Sequence, residues 1–403
     1  MNSDDAGRAA AGRLVDAEPL PGQLLLPGMP SEPTAATGEP DTLPGLEFPA
    51  GLAAGLAAGL AAGDGSPAAD GELAAVAAEL RGLDRDGSRT AAAIRGALDM
   101  LLDGQHTGRY RWEQLHKTEK THAGTLVEIA LARVLKLADG TTLDYTIAGA
   151  DVDCKFSHRL GGWMIPPEAD GKLLLLVQAS DEDGSWSAGL IRATEQNLSP
   201  AGNRDHKRAL NERGRGAVHW LHRRAPLQEN ALIRLPEREV AAIFALSSGQ
   251  QRVNELFRRA QRMRVSRTVV ATVAMQDDYM KRVRDGGGAR DQLRGEGIVI
   301  FGDYAGDQLL AAALGLVRPG PGEFVSARLA RRSRVLARAG GGAAGTAGAG
   351  GAAGAGGAAG AGGAAGAGGG EVSRYDRCIR LDGADWVLAG PADPFELAPS
   401  LPR

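Results

Sequence analysis

Acidic residues and a lysine between positions 128 and 155 have a spacing that suits metal-dependent chemistry. Asp153 and Lys155 lie two residues apart in a β-prone run, so their side chains leave the same face of a strand. Asp144 stands near the start of the preceding β-prone run, and Glu128 lies in an apolar pattern with helical spacing. Three such carboxylates can hold a cation that prefers oxygen ligands, and the lysine can hold a water or a phosphate oxygen beside it.

A simpler explanation is open for the same residues. An Asp-x-Lys tripeptide occurs by chance in many chains, and alternating charges are usually the solvent face of a strand. Two features favour the chemical interpretation. Val152, Cys154 and Phe156 alternate with the charged residues and give the strand an apolar face to bury. Glu128 interrupts the apolar run 126–131, where an unpaired carboxylate would be costly.

The elements that must position these side chains are a hairpin and the helix before it. Two β-prone runs, 143–148 and 150–157, predict the hairpin, and the apolar spacing of 125–137 predicts the helix. Residues 172–178 predict a fully buried strand, and 186–193 predict a further strand after a short turn. Together these elements predict a mixed sheet with helices beside it.

The order Glu, Asp and then Asp-x-Lys resembles the pattern of the PD-(D/E)XK nuclease superfamily. The run from Lys117 to Glu128, followed by Asp144 and by residues 151–156, is similar to the NaeI family of type II restriction endonucleases. It is more distantly similar to the MutH mismatch-repair nickase. The resemblance covers roughly residues 80–335. It implies an α/β fold, with a PD-(D/E)XK nuclease core (a mixed sheet flanked by helices) and a winged-helix domain.

The same resemblance implies the chemistry of the site. The reaction would be Mg²⁺-dependent hydrolysis of double-stranded DNA. Asp144 and Asp153, with the backbone carbonyl of Cys154, would bind Mg²⁺. Glu128 would bind a second ion or position a water, and Lys155 would orient that water and help to deprotonate it. A GC-rich palindromic site such as GCCGGC, a homodimer and a companion DNA methyltransferase of a restriction-modification system are further implications.

A first set of DNA contacts is expected in the basic segment 203–224. Its candidate residues are Arg204, Lys207 and Arg208. A run of charge is usually a solvated face. Here the neighbouring glycines would let the backbone approach a ligand closely, and this favours DNA contact.

A second set of DNA contacts is expected in a helix-turn-helix. Residues 237–246 and 250–263 predict two helices that flank the turn 247–249, and the second helix is basic. Strands at 268–274 and 298–301, with a helical segment 275–284 between them, would form the wing. The alternative is an ordinary helical hairpin with an arginine-rich solvent face. The candidate DNA contacts of the second helix are Gln250, Gln251, Arg252 and Arg259. The resemblance implies that this domain binds a second DNA site that activates cleavage.

Length and composition set the domain organisation. A chain of 403 residues allows two domains and tails, and the net charge of −3 places any DNA binding in local patches. The two cysteines predict a reducing compartment, and we expect a cytoplasmic bacterial protein with no secretory signal and no membrane span. The expected segments are a disordered extension (1–70), the endonuclease domain (71–228), the winged-helix domain (229–335), a Gly/Ala linker (336–370), and a hairpin around residues 382–383 with a tail (371–403).

These observations predict a type II restriction endonuclease and leave two alternatives open. The first is a sequence-specific nickase similar to MutH. The second is a non-catalytic winged-helix regulator in which the nuclease fold only holds DNA. The intact acidic set argues against the regulator, because carboxylates repel phosphate unless a cation lies between them.

Overall fold

The computed structural model describes residues 70–341 and 376–402 of the chain. The predictions for the N-terminal extension before residue 70, and those for residues 342–370 of the Gly/Ala linker, lie outside the described residues. The first residues of the predicted linker, 336–341, belong to the helix Arg332–Gly341. Within the described ranges, no helix is long and apolar enough to cross a lipid bilayer.

The first sheet carries the predicted hairpin. Its described strands are β1 (Ala138–Asp139), β2 (Tyr145–Ile147), β3 (Ala150–Ser157), β4 (Leu173–Ser180), β5 (Ser185–Arg192) and β6 (His219–Pro226), and they lie side by side in that order. β3 and β4 are parallel, and every other neighbouring pair is antiparallel. The sheet is therefore mixed, as predicted. At the hairpin turn Gly149 has a φ of 81°, a left-handed conformation that glycine adopts without strain.

Helices cover the sheet. Those described before β1 and between β5 and β6 are α1 (Gly71–Leu83), α2 (Ser88–Leu102), α3 (Gly104–Thr107), α4 (Lys117–Leu135) and α5 (Glu212–Ala217). Val127 and Leu131 of α4 are fully buried and belong to one apolar core with Val152 and Cys154 of β3. The apolar face of β3 that the alternation predicts is thus packed under the helix that carries Glu128.

α4 begins earlier than the predicted start at residue 125. The extra turns begin at Lys117, where Glu119 accepts a hydrogen bond from the His116 N–H at 2.8 Å in a capping box. This pairing satisfies donors that the first turn of a helix leaves free. The segment 117–124 is polar, so apolar periodicity does not reveal it.

The C-terminal half combines helices with a second sheet. Its described helices are α6 (Ala231–Arg234), α7 (Glu237–Phe244), α8 (Gly249–Arg259), α9 (Arg267–Ala274), α10 (Ala289–Gln292), α11 (Ala305–Ala313) and α12 (Arg332–Gly341). Its described strands are β7 (Arg264–Ser266), β8 (Ile298–Phe301), β9 (Glu323–Arg331), β10 (Cys378–Leu381) and β11 (Ala384–Leu388). β9 pairs with β7, β8 and β11. α7 and α8 flank a short turn and end before the predicted bounds at residues 246 and 263. A helix-turn-helix and an ordinary helical hairpin share this arrangement.

Two predicted elements of the wing are wrong. Residues 268–274 form helix α9, because Ser266 caps its first turn by accepting a hydrogen bond from the Val269 N–H at 3.3 Å. Valine and threonine dominate this segment and suggest a strand, but burial and the cap override their propensity. Residues 275–284 contain only a short 3₁₀ turn at Tyr279–Arg282. The strand predicted at 298–301 is present as β8.

The C-terminal hairpin joins the second sheet. β10 and β11 pair antiparallel around Asp382 and Gly383, whose φ angles of 50° and 73° suit a two-residue hairpin turn. β11 then pairs with the end of β9, where Trp386 lies opposite Arg331. The chain after residue 375 therefore completes the sheet that β7 and β8 begin.

Candidate active site

Four predicted site residues meet where the hairpin contacts α4. Asp144 immediately precedes β2, Asp153 and Lys155 lie on β3, and Glu128 lies on α4. The Tyr145 hydroxyl donates a hydrogen bond of 2.8 Å to the backbone carbonyl of Glu128 and so joins β2 to the helix. Asp144 Oδ2 accepts a hydrogen bond of 2.6 Å from the backbone N–H of Cys154, which holds this carboxylate beside β3.

Lys155 lies at the centre of the group. Its Nζ is 2.6 Å from Asp153 Oδ1, 3.0 Å from the Cys154 carbonyl oxygen and 3.9 Å from Asp144 Oδ2. The contact between Lys155 and Asp153 follows from their spacing, because residues two apart on a strand share a face. One ammonium group thus faces two carboxylates and a backbone oxygen.

Asp153 is a buried carboxylate with incomplete pairing. It is 4% exposed, and its buried Oδ2 accepts no hydrogen bond from any residue that the structure describes. Burial raises the pKa of Asp153 to about 6, and the charge of Asp144 adds to the rise, although the hydrogen bond from Lys155 opposes it. The ionised form of Asp153 therefore needs a further positive partner.

Glu128 adds a third carboxylate to the same electrostatic environment. It is half-buried, and desolvation raises its pKa, with a further increase from the charges of Asp144 and Asp153. Lys155 acts in the opposite direction. Three carboxylates interact electrostatically with a single lysine, so the site has more negative charge than its own cation can balance.

The donor set fits Mg²⁺. Asp144, Asp153 and the Cys154 carbonyl supply oxygen atoms, and Asp153 Oδ2 is an acceptor still to be satisfied. Across the described ranges, no three or more His, Cys, Asp and Glu side chains are arranged to hold a metal ion by themselves. Mg²⁺ does not require such a cage, because it keeps several waters and is usually held by one or two carboxylates.

The predicted DNA contacts of the basic segment lie on an exposed loop. Arg204 and Lys207 are exposed, whereas Arg208 is half-buried and donates from its Nε to the Ser199 carbonyl at 2.6 Å. Asn203 Oδ1 accepts from the Lys207 N–H at 2.9 Å and closes the loop. Arg204 and Lys207 are therefore available to a ligand, while Arg208 ties the loop to the rest of the protein.

The predicted DNA contacts of α8 differ in their surroundings. Gln251 is exposed. Gln250 donates to the Asn254 side chain, and Arg259 pairs with Glu239 and Glu255. The guanidinium of Arg252 donates to backbone carbonyls at the ends of α7 and α9, namely those of Leu246, Ser247, Val273 and Ala274. These contacts give Arg252 a structural role in joining the three helices, and DNA contact by these residues stays a prediction.

A cleft beyond Lys155 is a feature that sequence reasoning missed. It has a volume of about 1240 Å³ and opens at the carboxyl ends of β3 and β4. Polar side chains line it, among them Lys120, Ser157, Arg159, Gln178 and Arg224. These residues come from distant parts of the chain, so no local motif points to the cleft. The cleft begins at Ser157, two residues beyond Lys155 on β3, and the four acidic-site residues do not line it.

Comparison with known proteins agrees with this geometry. Residues 74–344 match the family model described as Restriction endonuclease NaeI. The chain is also 50% identical over 267 residues to the type II restriction enzyme NaeI of Lentzea aerocolonigenes. The aligned region covers 64% of this chain and 84% of that protein. The matched region contains Glu128, Asp144, Asp153 and Lys155. The chain therefore belongs to the NaeI family of restriction endonucleases.

Proposed function

We propose that this protein is a Mg²⁺-dependent type II restriction endonuclease that hydrolyses double-stranded DNA at a specific site. The observation that carries the proposal is the unbalanced acidic site within the region matched to the family. Asp153 is buried, and its Oδ2 lacks a hydrogen-bond partner among the described residues. The charge of Asp144 raises the pKa of Asp153, and the charges of Asp144 and Asp153 raise the pKa of Glu128. A site of this kind is stabilised by a cation and can then accept a phosphate.

Each residue of the site has a role in the proposal. Asp144, Asp153 and the Cys154 carbonyl hold Mg²⁺, which when bound lowers the pKa of a water and neutralises charge on the transferring phosphate. Lys155 has its Nζ 2.6 Å from Asp153, where it can orient the attacking water and donate to a phosphate oxygen. Glu128 lies at the edge of the same group and positions a water or a second ion.

DNA binding in the proposal uses both halves of the protein. Arg204 and Lys207 are exposed cations that can neutralise backbone phosphates. The α7–α8 helix-turn-helix forms the core of a winged-helix domain in which the exposed Gln251 faces DNA at a second, effector site. Cleavage of both strands at a palindrome calls for a two-fold homodimer. A GC-rich site and a companion methyltransferase complete the proposed system.

The experiment that tests the proposal is incubation of the purified protein with plasmid DNA and Mg²⁺, followed by sequencing of the cut ends. We expect linear products with a single defined end sequence, and no product when a chelator replaces Mg²⁺. Ca²⁺ should support binding without cleavage. Nicked circles without linear DNA would indicate a nickase instead. Specific DNA binding with no product under any divalent ion would indicate a regulator.

A further inference from the structure

The loop before Asp144 is organised around a carboxylate to which the sequence analysis assigned no role. Asp151 lies on β3, two residues before Asp153. Its Oδ1 accepts hydrogen bonds from the backbone N–H groups of Thr141 at 2.9 Å and Leu143 at 3.4 Å. Its Oδ2 accepts from the Thr142 N–H at 3.1 Å and from the Thr142 hydroxyl. Three consecutive residues therefore donate to a single side chain.

This loop leads directly into Asp144. Gly140 donates from its N–H to the Asp144 carbonyl at 3.3 Å, so the chain folds back on itself. A Cβ at Gly140 would clash with the Leu143 carbonyl oxygen and with Asp151 Oδ1, and this clash explains the glycine at the tightest point. Asp144 lies outside β2. Its backbone position therefore depends on the loop, while its side chain is fixed by the hydrogen bond from Cys154.

Asp151 and Asp153 have opposite hydrogen-bonding states although both precede Lys155 on the same face of β3. Donors from the loop fill both oxygens of Asp151, and the Thr142 hydroxyl is the main cause that holds the pKa of this carboxyl below its usual range. Asp153 keeps a buried oxygen with no hydrogen-bond partner in the described part of the chain. Asp153 is therefore suited to bind a cation, whereas both oxygens of Asp151 already accept hydrogen bonds from the loop.

We propose that Asp151 is a positioning residue for Asp144: its carboxylate fixes the loop 140–143 and thereby sets where Asp144 meets a divalent cation. This inference rests on the proposed function for the identity of the cation site. Groups that orient a metal ligand without touching the metal typically contribute about 10–100-fold to metal affinity. Loss of the Asp151 carboxylate should therefore weaken metal binding directly. It should affect cleavage only because less metal is bound.

The test measures Mn²⁺ binding by titration calorimetry in the absence of DNA. Asp151→Ala should weaken Mn²⁺ binding about tenfold and raise the Mg²⁺ concentration for half-maximal cleavage by a similar factor. The rate at saturating Mg²⁺ should stay near that of the unchanged protein. Asp151→Asn keeps one acceptor oxygen for part of these donors and should recover part of the affinity. Circular dichroism melts identify any variant that fails to fold.

Asp139→Ala is the matched control, because Asp139 is an exposed carboxylate immediately before the loop. It removes the same charge nearby and should leave Mn²⁺ affinity within about twofold. Unchanged Mn²⁺ affinity in Asp151→Ala would overturn the inference. Loss of binding in Asp151→Asn as complete as in Asp153→Ala would also overturn it, because Asp151 would then be a ligand. If the unchanged protein binds Mn²⁺ but cuts no DNA, the proposed function fails while the affinity comparison still decides the role of Asp151.

Discussion

Two clusters in this protein use the same kinds of residue in different ways. The arginine cluster is Arg95 with Asp99 and Asp181, and the lysine cluster is Lys155 with Asp144 and Asp153. In the arginine cluster Arg95 is 6% exposed and donates to both oxygens of Asp181, and its Nη2 lies 2.7 Å from Asp99. A planar guanidinium can satisfy two carboxylates at once because its donors form a fixed fork.

The lysine cluster lacks such close contact with both carboxylates. Lys155 is 2.6 Å from Asp153 but 3.9 Å from Asp144, and Glu128 contributes a further carboxylate. Asp153 Oδ2 stays without a hydrogen bond from the described residues. We infer that the contacts between the cation and its carboxylates decide the role of a charged cluster. In the arginine cluster both carboxylates contact the guanidinium and hold α2 against the end of β4, although Arg95 Nε has no partner among the described residues. The carboxylates near Lys155 lack such close contacts and are maintained at a cost that a bound cation relieves.

The largest expected effect is on catalysis in the lysine cluster. Lys155→Met should lower the cleavage rate by about 10³-fold, because it removes the group that orients water and donates to phosphate. The free energy of unfolding should fall by only about 1–2 kcal/mol, since Asp153 can take up a proton once its partner is lost. Plasmid cleavage and urea denaturation measure the two quantities. A loss of stability as large as that of the arginine cluster would break the comparison.

The second effect is on stability in the arginine cluster. Arg95→Met should lower the free energy of unfolding by about 3–5 kcal/mol, because it leaves the carboxylate of Asp181 buried and unpaired. The exposed Arg85 provides a control, and Arg85→Met should leave the denaturation midpoint unchanged. The cleavage rate per folded molecule of Arg95→Met should stay within a few-fold of that of the unchanged protein. A selective loss of cleavage with normal stability would instead place Arg95 in the catalytic machinery.

The third effect concerns pH. The pKa of Asp153 is raised to about 6, so the folded protein is penalised when this group is ionised. The penalty is complete above pH 6 and disappears as the pH falls from about 6 towards the unfolded pKa of about 4. Without divalent ions, Asp153→Asn should therefore be about 3 kcal/mol more stable than the unchanged protein at pH 7.5. The gain should shrink towards zero at pH 4.5.

Mg²⁺ provides the control for the pH effect. At pH 7.5 it should raise the melting temperature of the unchanged protein, because it binds the folded state, and it should leave Asp153→Asn unaffected. A variant that is no more stable than the unchanged protein at pH 7.5 would show that the charge of Asp153 is already compensated.

The last pair of substitutions compares an exposed arginine, Arg204, with a paired one, Arg252. Arg204→Ala should reduce the salt dependence of DNA binding by about one unit of slope without changing stability. Arg252→Ala should instead lower the free energy of unfolding by about 1–3 kcal/mol, because it removes the donors to the carbonyls of α7 and α9. Salt titrations of DNA affinity separate the two variants. A reduced slope for Arg252→Ala would return this residue to the set of DNA contacts.

The parts of the fold that could be predicted are those with a local pattern. Alternation in β3 predicts that Asp153 and Lys155 share a face, and the unbroken apolar run of β4 predicts a buried strand. Segment 268–274 could not be assigned correctly, because valines and threonine favour a strand and the cap at Ser266 acts through a single hydrogen bond. β6 was missed because its residues are half-buried or exposed and give no alternation.

The candidate site, too, could be predicted only where the sequence carries a local pattern. The types and order of Glu128, Asp144, Asp153 and Lys155 are visible in the sequence. The different hydrogen-bonding states of Asp151 and Asp153 cannot be read from the sequence, because both residues stand between apolar neighbours. Only the folded loop shows which carboxylate oxygens already accept hydrogen bonds. The internal partners of Arg252 were hidden for the same reason, since they are backbone carbonyls from the turn after α7 and from α9.

The most direct test of the lysine cluster as the site of DNA hydrolysis compares plasmid cleavage by the unchanged protein and by Asp153→Ala in Mg²⁺, with DNA affinity measured in parallel without metal. The unchanged protein should linearise the plasmid at a defined site. Asp153→Ala should give no product while binding metal-free DNA with nearly the same affinity, because the substitution removes a cation ligand and leaves the DNA-contacting cations in place. Cleavage by Asp153→Ala at a normal rate would contradict the assignment of the lysine cluster as the site of DNA hydrolysis.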